Sequence, residues 1–121
     1  MTGRGALALA CEAAYRQALA ACSAERLVAA ALRERSPEGP LRLLALGKAA
    51  APMLSAALQA LGDRARDPLC LLTRGERSPP GVRAVPGTHR RPSPASLAAG
   101  LAAPDWAGRG SGRPALVLLS G

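Results

Sequence analysis

The stretch LRLLALGKAAAPMLSAALQALG, residues 41–62, decides the fold, because its hydrophobic period changes halfway along. Leu41 to Leu46 is almost wholly apolar and sits between turn signals, as expected of a strand buried on both faces. Gly47 ends that run. From Lys48 to Leu61 the pattern is helical, and Gly62 closes it as a left-handed cap residue. Pro52 falls just past the first turn, where it forfeits at most about one backbone bond. A buried strand that passes directly into a helix is the opening of a βαβ unit.

The rest of the chain extends this pattern in both directions. Leu69 to Thr73 reads as a second buried strand, and Val82 to Val85 as a short third. After a Pro-rich loop around His89, Ser96 to Ala102 reads as helix, Gly108 to Pro114 as loop, and Ala115 to Leu119 as a last apolar strand. Upstream, Gly5 to Arg35 reads as two Ala- and Leu-rich helices. Glu12 and Arg16 lie one turn apart on a solvated face, and Ser23 is placed to cap the second helix. The loop Ser36 to Pro40 separates these helices from the first strand. Strands alternating with helices make the fold class α/β: N-terminal helices, then a small, mainly parallel, Rossmann-like sheet with crossover helices. A chain of 121 residues supports one domain, with residues 1–36 as the helical lead-in and 41–121 as the βαβ-type region.

Composition narrows the function classes. There is no Phe, with one Trp and one Tyr, so the core is built from Leu, Ala and Val. The formal charge of +8 rests on 15 Arg and a single Lys, scattered from Arg4 to Arg113 with no run longer than Arg90–Arg91. No aromatic residues alternate with them to stack bases, and no nucleic-acid module is recognisable, so no nucleic-acid partner is expected. Cys11, Cys22 and Cys70 show neither CxxC spacing nor a His cluster. They read as small buried hydrophobes rather than metal ligands. An odd count without a disulfide framework favours a reducing compartment, the cytoplasm. The apolar run ahead of Cys11 is too short for a signal-peptide core, and no segment approaches the roughly 20 apolar residues of a membrane span, so no membrane partner is expected.

In parallel sheets, ligands sit at the carboxyl ends of the strands. Three positions fall there: Gly47 with Lys48, Thr73 with Arg74, and Ser120 with Gly121. Lys48 is the only lysine and lies where a buried strand turns into a helix. A primary ammonium beside free backbone N–H groups suits phosphate or carboxylate oxygens. The same turn also suits an exposed lysine with no role. The surroundings are not a P-loop, since Ala49 rather than Ser or Thr follows Lys48. Arg74 suits an anionic ligand, or an ordinary surface pairing with Glu76. His89, the only histidine, suits acid–base work or solvation in its loop. Ser120 and Gly121 resemble the opening of a phosphate-cradling loop.

Taken together, LLALGKAAAPM (Leu43 to Met53), LLTRG (Leu71 to Gly75), GTHRRPSPAS (Gly87 to Ser96) and LVLLSG (Leu116 to Gly121) resemble the glycerate 2-kinases of the MOFRL-associated type, also known as hydroxypyruvate reductases. The Gly-Lys-Ala-Ala turn at Gly47 to Ala50 is the most specific element. The run at His89 keeps Pro92 and Ser96 but carries Arg90 and Ser93 where relatives carry Pro and Asp.

The resemblance implies ATP-dependent phosphorylation of the 2-hydroxyl of D-glycerate to 2-phosphoglycerate, with magnesium. Lys48 would stabilise charge on the transferred phosphoryl group. Gly47, Thr73, Arg74, His89, Ser120 and Gly121 would bind substrate or nucleotide, and no metal ligand is assigned. Relatives continue past Ser-Gly into further glycines and a long remainder. The chain is therefore expected to correspond to their N-terminal portion and to have little or no turnover alone. Two other readings stay open: a small phosphate- or nucleotide-binding module without catalysis, and an interaction fragment whose last strand is an exposed edge suited to homo-oligomer formation.

Overall fold

The computed structural model describes residues 3–73, 75–87, 91–110 and 112–121. Helix α1 spans Gly3–Ala21 and α2 spans Ala24–Glu34. Ser23 caps α2 as its type predicts, its hydroxyl accepting the Arg26 N–H at 3.3 Å. Val28 and Leu32, one turn apart, form the buried stripe of α2. Helix α1 has Ala and Leu all round it and buries no residue. Its Glu12 and Arg16 pair at 2.7 Å on the exposed surface.

One expectation fails here. Cys11 and Cys22 are exposed, and of the three cysteines only Cys70 is buried. Residue type favours burial of cysteine, but Cys11 belongs to a helix that packs no face on the core, and Cys22 lies in the turn after it.

Strand β1, Leu41–Leu46, is buried from Leu41 to Ala45, as the unbroken apolar run requires. It carries one charged residue, Arg42, only 4% exposed. Helix α3, Ala50–Leu61, buries Ala50, Met53, Leu54, Ala56, Ala57 and Leu61, a helical stripe. It starts two residues later than the pattern suggested, so Lys48 and Ala49 form a turn ahead of it. Pro52 is then the third helical residue, where its missing N–H has no intrahelical partner to lose. Gly62 ends the helix at φ +53.

Strand β2 runs Ala65–Leu72, four residues earlier than its apolar part, because Ala65 and Arg66 already pair with Leu41 and Arg42 of β1. The register shifts between Arg42 and Leu44, and Asp67 takes a positive φ of 44 on the opposite strand. Strand β3 is Arg83–Pro86. Helix α4 is Pro94–Arg109, much longer than expected, with Ser93 as its cap at 3.3 Å from the Ser96 N–H. It continues through Pro104, which removes one backbone bond. Trp106, two residues beyond, docks on the sheet and holds that last segment helical. Strand β4 is Ala115–Leu119, as expected.

The four strands are all parallel in the order β3-β2-β1-β4. This makes the chain an α/β protein with a Rossmann-like sheet. Helices α2 and α3 cover one face, packing on Leu41, Leu43, Ala45, Cys70 and Leu72. Helix α4 covers the other through Ala99 and Trp106, against Leu44, Leu69 and Leu71. Among the described residues no helix is long and apolar enough to cross a membrane.

Candidate functional site

The chain leaves β1 through α3 towards β2, whereas β4 pairs on the other side of β1. The gap between the carboxyl ends of β1 and β4 is therefore the point where connections diverge, the usual ligand crevice of an open α/β sheet. Gly47–Lys48 and Ser120–Gly121 meet there. The Ser120 N–H donates to the Leu46 carbonyl at 3.1 Å, and the Ser120 hydroxyl accepts the Ala49 N–H at 2.9 Å. Gly47 is at φ +106, and a Cβ there would collide with the carbonyl oxygen and hydroxyl of Ser120. Only glycine meets both conditions.

Ser120 thus does what a side chain at the start of α3 would ordinarily do. Ala49 occupies the cap position of α3 and has no side-chain cap bond of its own. The hydroxyl arrives from β4 instead. The Ala50 N–H is turned back on the Gly47 carbonyl at 3.2 Å, and Pro52 has no N–H. This leaves the Lys48 and Ala51 amides as the first-turn donors without a protein acceptor among the described residues. They lie at the positive end of the helix dipole, beside the exposed Lys48 side chain, which forms no ion pair among the described residues. The arrangement suits an anion.

Strand β2 ends beside β1. Thr73 is half-buried there, and its carbonyl accepts the Glu76 N–H at 3.3 Å. Arg74 and His89 lie outside the described residues. Glu76, read from sequence only as a surface partner for Arg74, is half-buried, and its Oε2 is enclosed without a hydrogen-bond donor among the described residues. An enclosed carboxylate oxygen without a partner is costly, which makes Glu76 a candidate residue that the sequence reading did not single out. The available signal was its place, three residues past Thr73 in the loop after a buried strand. Below it, burial, reinforced by the negative charge of Glu76, raises the Cys70 thiol to about 11. Cys70 is therefore a neutral thiol at neutral pH and not a nucleophile.

A domain family described as "Domain of unknown function (DUF4147)" matches residues 10–121. The chain belongs to this family. The DUF4147 domain is associated with the N-terminal region of glycerate kinases. Neither a curated protein nor a solved structure matches the chain. The match takes in every residue of the β1–β4 gap, including Gly47, Lys48 and Ser120.

Proposed function

We propose that this DUF4147 chain supplies the anion-binding corner of a glycerate 2-kinase-type phosphotransferase. The reaction moves the γ-phosphoryl group of ATP to the 2-hydroxyl of D-glycerate. A bond forms from that oxygen to phosphorus, the bond to the ADP oxygen breaks, and the hydroxyl proton is released. One observation carries the reading: the only lysine adjoins two amides without a protein acceptor among the described residues, at the α3 N-terminus beside the β1–β4 gap. Phosphoryl transfer depends mainly on positioning and on positive charge near the equatorial oxygens. Lys48 supplies that charge on a flexible stem. The Lys48 and Ala51 amides orient the phosphate, and Ser120 holds the turn that presents them.

The residues suit a nucleotide phosphate better than a protein-held metal. Among the described residues no three potential metal ligands cluster, and Glu76 is the one enclosed carboxylate with unused capacity. Magnesium commonly binds through substrate phosphates with one or two carboxylates, and when bound it neutralises phosphate charge. Glu76, in the loop after β2, would be the residue to hold it.

Titrating the chain with ATP at fixed ionic strength, and assaying turnover with glycerate, tests the proposal. Saturable ATP binding that Lys48→Ala weakens is the expected result, with little or no turnover from these 121 residues. Binding that is absent, or indifferent to Lys48→Ala, overturns the assignment of the site. Binding without turnover even when the chain forms part of a longer protein favours the non-catalytic module.

A second reading, an interaction role, draws on the edge position of β4, where Val117 and Leu119 are largely exposed. Sedimentation distinguishes it, since a ligand-free oligomer supports it and a monomer that binds ATP does not.

A further inference from the structure

The opposite end of the sheet holds a feature that phosphotransfer does not use. Pro40, Arg42, Arg66, Arg113 and Pro114 line a cavity of about 300 Å³ where β1, β2 and β4 begin. Arg42 is its fixed element. The guanidinium is buried and stacked on the Trp106 ring, 3.9 Å from the centroid. Its Nη2 donates to the Asp67 carboxylate at 2.7 Å and to the Trp106 carbonyl. The Nε and Nη1 groups lie against Gly110 and have no acceptor among the described residues.

The other two arginines are exposed, and their charges are unmatched. Arg66 donates only to the carbonyls of Asp63 and Ala65, and Arg113 forms no ion pair among the described residues. Three arginines thus line one hollow, and of these only Arg42 is paired with a carboxylate among the described residues, that of Asp67. Like charges converging on one hollow repel, and a doubly negative guest removes that repulsion. Guanidinium forks also match the oxygens of phosphate two at a time.

We propose that this hollow is a second anion site that takes a small dianionic phosphate, either inorganic phosphate or a phosphate monoester. Arg42 provides a preorganised donor at the floor, and Arg66 and Arg113 close from the rim. The site is separate from the one at Lys48. Lys48 is six residue steps along β1 and its turn from Arg42, roughly 20 Å at strand rise.

Inorganic phosphate and glycerol phosphate serve as probes at constant ionic strength, with backbone amide shifts recorded by NMR. Arg66→Ala/Arg113→Ala is the variant, since both residues are exposed and Arg42 stays in place. The expected result is a saturable response around Arg42 and residues 113–115, weakened about tenfold or more in the double variant, as loss of charged hydrogen bonds implies. Lys48→Ala leaves this response unchanged. A response that grows linearly without saturating, or that follows Lys48 instead of the arginines, overturns the proposal. Saturation by phosphate alone assigns the site to the free ion, and tighter saturation by glycerol phosphate assigns it to a monoester.

Discussion

The Ser120 hydroxyl, at the end of the last strand, accepts the Ala49 N–H at 2.9 Å and so caps the helix that follows the first strand. Helix caps of this type contribute about 1 kcal/mol when replaced by alanine. Ser120→Ala is expected to destabilise the chain by that order, read as a lower urea midpoint with an unchanged m-value. Gly47→Ala is expected to cost more, about 2 kcal/mol or above, because it adds strain at a positive φ to a collision with the Ser120 backbone. Equal stability of the two variants would contradict this geometry.

Lys48 is exposed, so its removal should leave stability within about 0.5 kcal/mol. Its effect belongs to binding. Lys48→Ala should weaken ATP binding, and raising the salt concentration should narrow the difference between variant and parent. Calorimetric titration at two ionic strengths checks both.

Trp106 is the only tryptophan and is 2% exposed, so its emission reports folding directly. Its ring N–H donates to the Asp67 carbonyl at 2.7 Å, across from Arg42. Trp106→Phe keeps most of the ring but loses this bond, at a cost of about 1 kcal/mol. Trp106→Ala removes the stacking surface as well, at a cost of about 3–5 kcal/mol. Circular dichroism melts of the two variants should therefore be well separated.

The three thiols differ in reach. Cys11 and Cys22 should react with a thiol reagent in the native chain, and Cys70 only on unfolding. Cys70 also sets a pH dependence. Its folded pKa, about 11, is above the ordinary value of 9.0, so the unfolded chain releases this proton first. Its contribution to stability is full below pH 9 and is lost as pH rises through the window from 9 to 11. Cys70→Ala should flatten this part of the stability profile, measured by urea unfolding across that range.

The period change in residues 41–62 made the β1–α3 unit legible, and Ala115–Leu119 was legible as a run of apolar residues between turn signals. The length of α4 was not, because Pro104 reads as a stop when the docking of Trp106 is unseen. The early start of β2 was hidden by its exposed, polar opening residues. At the site, Gly47, Lys48 and Ser120 could each be picked out by position. Their meeting could not, because it depends on which strand lies beside β1. Glu76 was hidden for a related reason: the sequence gives its charge, but only packing shows that one of its oxygens is enclosed.

The Ala49–Ser120 bond joins residues 71 positions apart. During synthesis, α3 therefore emerges with its leading amide unanswered and must wait for β4 before that amide is met. Until then β1 also lacks its neighbour on that side. The crevice is assembled by β4, so a ribosome carrying a chain that has not yet reached Ser120 displays a nascent protein with β1, β2 and β3 and no β1–β4 crevice.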